Sequence, residues 1–305
     1  MKPTNHVLMV RPARFRANEQ TAKNNYYQKH TSLSADASLK QAQSEFDSLV
    51  SCLGANNITV TIVQDTAVPD TPDALFPNNW FALLGNGQLV LFPMFAENRR
   101  AERSNRVFKA LYKDGCEISN TVDYTPYEKN QQFLEGTGSM VLDHQNNIAY
   151  AALSPRTDAD LFHLFCKTFD FAPIAFNAYQ TVGEERLPIY HTNVLMVVAP
   201  SFALVCLDAV DDPVERTLLQ DSLTFSGKEV IPLTEKQITQ FAGNMLTLTA
   251  TDGAALLVMS TRAYKALTPK QLSQLQEYVK LVHSPIPTIE DLGGGSVRCM
   301  LAEVY

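Results

Sequence analysis

The chain has 305 residues, 45% hydrophobic and 19% charged, proportions ordinary for a soluble globular protein with a sizeable core. Its net charge of -7, with no block of lysine or arginine, excludes nucleic acid and anionic membrane as natural partners. Five widely spaced cysteines (Cys52, Cys116, Cys166, Cys206 and Cys299) exclude an even-numbered disulfide framework and fit a reducing, cytoplasmic compartment. No Cys-x-x-Cys pair or His/Cys cluster has metal-ligand spacing, so no metal is expected. No apolar run approaches the roughly 18 residues of a spanning helix, and the apolar stretch after His6 is too short for a secretory signal.

His6 to Val10 predicts a short strand, followed by a polar loop from Arg11 to about Leu33 that could act as a lid. Leu39, Ala42, Phe46, Leu49 and Leu53 recur at helical spacing, with Gly54 as the expected stop. Ile58 to Val63 alternates threonine with β-branched apolar residues and predicts a strand. Trp80 to Leu84 and Leu89 to Phe92 flank Gly85-Asn86-Gly87, a hairpin signal. A charged helix is expected from Asn98 to Tyr112, with Arg99, Arg100 and Arg103 on its solvated face, then a strand near Glu117 to Val122.

The same order then recurs. Met140 to Leu142 and Ile148 to Ala152 form a hairpin, Asp158 to Phe169 a helix, and Pro173 to Asn177 an extended piece. Val194 to Val198 and Ala203 to Leu207 come next, then a helix opened by Asp212 with Pro213 at its first turn, then Glu229 to Ile231. Leu246 to Thr249 and Ala255 to Met259 precede a helix opened by Thr268-Pro269, expected to be the last and to end before Pro285. A final strand is expected from Val297 to Val304.

Hairpin, helix, strand thus starts near positions 79, 138, 191 and 244, and a fifth copy joins Val297–Val304 to His6–Val10 and the helix and strand after it. A period of roughly 52 to 59 residues is that of a radially repeated architecture. The expected fold is α/β, a five-bladed pseudosymmetric ββαβ propeller formed by one domain over residues 1–305. Its strand starts face the centre, so Asn78 and Asn79, Glu135, His191 and Asn193, Asn244 and Cys299 should converge there. Asn244, beside a turn, reads as structural.

Cys299 follows Gly293-Gly294-Gly295, a stretch suited to a sharp bend or a close approach to a ligand. A thiol at such a place becomes a nucleophile when a neighbouring group favours its thiolate. A histidine and a carboxylate at matching repeat positions supply that neighbourhood.

Glu135-Gly136, His191-x-Asn193 and Gly-Gly-Gly-Ser-Val-Arg-Cys299 resemble the motifs of the guanidino-group modifying superfamily, which includes arginine deiminases, dimethylarginine hydrolases and amidinotransferases. Ser154-Pro155-Arg156-Thr157 is similar to an element of its dimethylarginine-hydrolase branch, and Phe76-Pro77-Asn78-Asn79 stands where deiminases have Phe-x-Arg-Asp. The nearest likeness is to the deiminase-related citrulline-utilisation hydrolases. This resemblance implies a pentein-like α/β propeller and a hydrolase without cofactor. Cys299 would attack the guanidino or ureido carbon through a covalent S-linked intermediate. His191 would act as acid and base, and Glu135 would orient it and favour its charged form. Arg156 would bind the α-carboxylate of a small amino-acid substrate, with Asn78, Asn79 and Asn193 around the reacting group.

Deiminases hold the cationic guanidinium between two aspartates, whereas Asn79 and Asn193 stand at those positions here. Amides offer both donor and acceptor and suit a neutral, citrulline-like ureido group, or an enzyme that hydrolyses arginine and then its ureido product. The alternatives are an amidinotransferase and a non-catalytic propeller that serves as an interaction protein. Assembly into a homo-oligomer is compatible with the sequence.

Overall fold

In the computed structural model, residues 2–29 and 31–305 are described, so only His30 of the expected lid, and Met1, lie outside the description. Five three-stranded sheets share one construction. They are Ala302–Val304 with His6–Arg11 and Thr59–Gln64; Phe81–Leu84 with Gln88–Leu91 and Asn120–Asp123; Val141–Asp143 with Ile148–Leu153 and Ala172–Asn177; Met196–Val198 with Phe202–Val205 and Glu229–Pro232; and Leu246–Thr249 with Ala255–Ser260 and Lys280–Ser284. In each, the first pair is antiparallel and the second parallel. A parallel pair needs a long crossover, and each is bridged by helix: Ala35–Ala55, Asn105–Lys113, Ala159–Phe169, Pro213–Phe225 or Pro269–Gln276.

The first sheet joins the two ends of the chain, with His6 opposite Val304. Adjacent sheets touch: Ala302–Val304 packs on Phe81–Leu84, and Met196–Val198 on Val141–Asp143. Gln237 and Gln271 exchange amide hydrogen bonds across the fourth and fifth units. The long helix buries Ala42, Phe46, Leu49 and Leu53 against Lys280–Ser284 and against a helix over Pro287–Gly293. Fully burying each Leu or Phe stabilises the fold by about 1.5–3 kcal/mol.

Several expectations need correction. Val297–Val304 is not one strand: Val297–Met300 forms a helical turn, and pairing starts at Ala302. The charged helix is two pieces, Glu97–Arg100 and Asn105–Lys113, because Ser104 caps the second through the Arg106 N–H. The helix opened by Thr268 stops at Gln276, and Lys280–Ser284 supplies the third strand of its unit. Pro285 therefore follows a strand, and the helix Pro287–Gly293 comes after it. Gly54 lies within its helix, which Asn56 caps. The hairpin Tyr179–Val182/Glu185–Pro188 was not anticipated.

What positions the site is a set of short turns at the unit starts. Pro77–Asn79, Gly136–Ser139, Thr192–Val194 and Val297–Met300 each precede a first strand, and Gly136–Ser139 touches both of its neighbours in that series.

Candidate active site

Cys299 sits buried in the helical turn, held there by its approach. The helix Pro287–Gly293 ends at Gly294 in the left-handed conformation (φ 64°), and a Cβ there would lie 2.5 Å from Nδ2 of Asn25. Both facts require glycine. Tyr190 donates its hydroxyl to the Gly294 carbonyl at 2.6 Å, and Ser296 donates to Glu290 at 2.7 Å. Two amides meet the sulfur: Asn244 donates from Nδ2 at 3.3 Å and Asn193 from Nδ2 at 3.5 Å.

The fully buried Glu135 receives His191 Nε2 on Oε2 at 2.8 Å and the Phe95 N–H on Oε1 at 2.9 Å. Burial would raise its pKa, but Arg156, His191 and Arg99 outweigh that and bring it down to about 2. Desolvation lowers His191 to about 4, with Glu135 opposing the shift and Arg156 and Arg99 adding to it. Glu135 thus favours the charged form of this histidine, as expected, but does not outweigh burial. Burial beside two cationic guanidinium groups leaves the ring neutral. Because Glu135 takes the Nε2 proton, Nδ1 is the nitrogen left to exchange protons.

Arg156 is buried and lies within 3.5 Å of Glu135 Oε2. Its guanidinium stacks 4.8 Å from the Tyr190 ring centroid. The loop after the first strand reaches this group: Asn24 Oδ1 accepts from both Nε and Nη2, and the Thr21 carbonyl from Nη2. Asn25 donates to the carbonyls of Gly293 and Gly294. The expected lid thus lies across the site.

Asn79 donates Nδ2 to Asn78 Oδ1 at 3.0 Å and accepts from Arg99 Nη1 on Oδ1 at 2.7 Å. Asn78 in turn donates to Thr137. Arg99 is not on a solvated face. It is buried, paired with Glu102 at 2.8 Å and 3.8 Å from Asp73. Burial raises Glu102 to about 7 despite Arg99. Asp73 keeps one buried carboxylate oxygen, Oδ1, without a hydrogen-bond partner.

Cys299, His191, Asn79, Arg99, Arg156 and Asp73 line one small cavity of about 10 Å³. Of the seven anticipated residues, Cys299, His191, Asn79 and Arg156 line it, while Asn193 touches the sulfur, Glu135 lies behind His191 and Asn78 bonds Asn79. Sequence reasoning missed two groups, Arg99, which had only a glutamate three residues on, and Asp73, which had no signal. Asn244 is placed at the centre by its repeat position but reads as structural. Among the described residues, no group of three or more His, Cys, Asp or Glu side chains could hold a metal ion.

Repeated ββαβ units around a cysteine and a histidine–carboxylate pair are features of the guanidino-group modifying proteins of pentein fold. The family model described as N,N dimethylarginine dimethylhydrolase, eukaryotic, matches residues 11–305, and the chain belongs to that family. The N-terminal domain of ArgZ, an arginine dihydrolase from the ornithine-ammonia cycle in cyanobacteria, was solved as a cysteine-to-serine mutant bound to substrate. It is 17% identical with a TM-score of 0.70, over 98% of both chains. AgrE, as a cysteine-to-alanine mutant with L-arginine, is 17% identical with a TM-score of 0.73, over 98% of this chain but 40% of its own. DDAH from Pseudomonas aeruginosa, a cysteine-to-serine mutant complexed with citrulline, is 12% identical with a TM-score of 0.61, over 99% of this chain and 100% of its own. At these identities the likeness is one of fold. No curated protein sequence matches the chain.

Proposed function

We propose that the protein is a cysteine-dependent hydrolase of C–N bonds in the ureido or guanidino group of a citrulline- or arginine-like amino acid. The observation that carries this reading is the meeting of Cys299 with the His191–Glu135 pair at one buried cavity. In this reading the five sheets close into a single five-bladed propeller domain with the helices outside. The compartment is the cytoplasm, in keeping with five free cysteines.

With a ureido substrate, the Cys299 sulfur adds to the planar carbon, a C–S bond forms and a C–N bond breaks. His191 Nδ1 takes the proton of the Cys299 thiol as the sulfur adds and hands it to the departing ammonia. It then takes one from water, which attacks the S-linked carbon and breaks the C–S bond. The carbamate so formed loses carbon dioxide, so citrulline and water give ornithine, ammonia and carbon dioxide. Arginine would pass through the same sequence after a first hydrolysis to citrulline.

Arg156 presents to Asn24 Oδ1 the Nε/Nη2 edge that a carboxylate would take. The substrate's α-carboxylate displaces the loop from that edge, and Asp73 Oδ1 accepts from its α-ammonium. With room for about one water molecule, the cavity admits an amino acid only with the loop moved. Asn79 leaves no carboxylate beside the reacting group, which supports a neutral substrate.

Incubation with citrulline, arginine and N,N-dimethylarginine in turn, with products identified by mass, tests the reading. Ornithine from citrulline is expected. Failure to consume any of the three would overturn it.

A further inference from the structure

Asn244 belongs to the fourth of the unit starts, far in sequence from the residues it meets. Its orientation is over-determined. Oδ1 accepts from the Arg298 backbone N–H at 3.0 Å, which fixes the amide so that Nδ2 points the other way. The two hydrogens of Nδ2 then have two acceptors, the Asn193 carbonyl at 2.9 Å and the Cys299 sulfur at 3.3 Å. Asn193 Nδ2 approaches the same sulfur at 3.5 Å, while the carbonyl oxygens of both amides stand further off, at 3.7 and 3.9 Å. The donors are thus the nearer partners of the sulfur, and the two oxygens are within reach only of a thiol S–H. A neutral thiol makes a weak acceptor, whereas a thiolate makes charge-assisted bonds of about twice the strength.

We infer that Asn244 is a catalytic residue, an amide donor that holds the sulfur anion of Cys299 both before attack and as it departs from the S-linked intermediate. This rests on the hydrolase reading and adds to it a group that reads from sequence as structural. The donor acts only while the sulfur carries charge, so it favours formation and departure of the thiolate over the covalent state between them. The other charged or titratable groups around the cavity are His191 with Glu135 behind it, Arg99 with Glu102 behind it, Arg156, Asp73 and Tyr190, with Glu290 on the approach to the cysteine and Arg298 paired to Glu303 on its own turn. All of them stay in place when Asn244 alone is changed.

The test is alkylation of Cys299 by iodoacetamide, followed by peptide mass from pH 5 to 10, with the unsubstituted protein and Asn244→Asp. The aspartate keeps an oxygen for the Arg298 N–H and removes the donor but adds a charge. Asn244→Leu, which removes the donor without charge, is therefore read beside it, and an unmoved midpoint in Asn244→Leu would overturn the inference. Alkylation at pH 7 should slow by about ten- to a hundredfold and the midpoint should move upward. The rate at the high-pH plateau should be unchanged. A superimposable profile would overturn the inference. So would a loss of equal size at every pH, which would mean that Asn244 merely places the sulfur. Should Asn244→Asp not fold, Asn244→Ser, with a shorter donor, is read in the same way with a smaller shift. The hydrolase reading fails separately, if Cys299→Ala still turns over substrate.

Discussion

Arg99 donates Nη1 to Oδ1 of Asn79 at 2.7 Å, so a resident cation occupies the acceptor end of this amide. The neighbouring Nδ2 is held by Asn78. Asn79→Asp would therefore place its carboxylate against Arg99, which already faces Glu102 and Asp73. The new charge is partly neutralised, so the shift in preference toward guanidinium is smaller than a free carboxylate would produce. We expect the kcat/KM ratio of arginine to citrulline to rise by about 1 kcal/mol, roughly fivefold. An unchanged ratio would mean that Asn79 only shapes its loop.

The neutral His191 makes a prediction about acid. Its folded-state value of about 4 lies below the 6.5 of an exposed histidine. Between those pH values the unfolded chain holds a proton at this ring that the folded chain does not. Stability due to this group is complete above about pH 6.5 and is lost as pH falls toward 4. From pH 7 to pH 5 the protein should lose about 2 kcal/mol more unfolding free energy in urea than His191→Gln does. Equal losses would contradict a neutral buried ring.

Gly138 stands where two working side chains leave no room. A Cβ on it would lie 2.4 Å from Asn79 Nδ2 and 2.8 Å from His191 Nδ1. Gly138→Ala must displace the imidazole or the amide, so we expect kcat to fall at least about a hundredfold, the scale set by small misplacements in active sites. Melting temperature should drop only by a few degrees. Activity within a factor of two of the parent would show that the imidazole does not need this seat.

Arg156 touches Glu135 as well as the edge proposed for the carboxylate. Arg156→Lys removes the fork and weakens the main attraction that keeps Glu135 ionised, so both KM and kcat should suffer. The loss in kcat/KM should be about 1.5–3 kcal/mol. A change in KM alone would confine Arg156 to substrate binding.

The repeat was legible because it rests on local signals: alternation in strands, helical spacing, and the Asp212-Pro213 and Thr268-Pro269 caps, both of which the structure places at helix starts. The meeting of Cys299, His191 and Glu135 followed from repeat position alone. Where the sequence misled, a tertiary partner decided. Arg99 reads as a surface charge until Asp73 and Glu102 are brought around it. Lys280–Ser284 lacks a strong period but gains a parallel neighbour in Ala255–Ser260. Val297–Met300 has strand-like composition yet coils, which places Cys299 against Asn193 and Asn244. Asp73 carries no sequence signal, because its open oxygen exists only within the assembled cavity.

The central claim is a covalent bond to Cys299 during turnover. Rapid acid quench of the protein mixed with citrulline or arginine, followed by mass analysis of its peptides, reads this directly. The account predicts a substrate-derived mass increase confined to the Cys299 peptide, and absent in Cys299→Ala together with all turnover. Undiminished turnover in Cys299→Ala, or an adduct carried by any other residue, would contradict it.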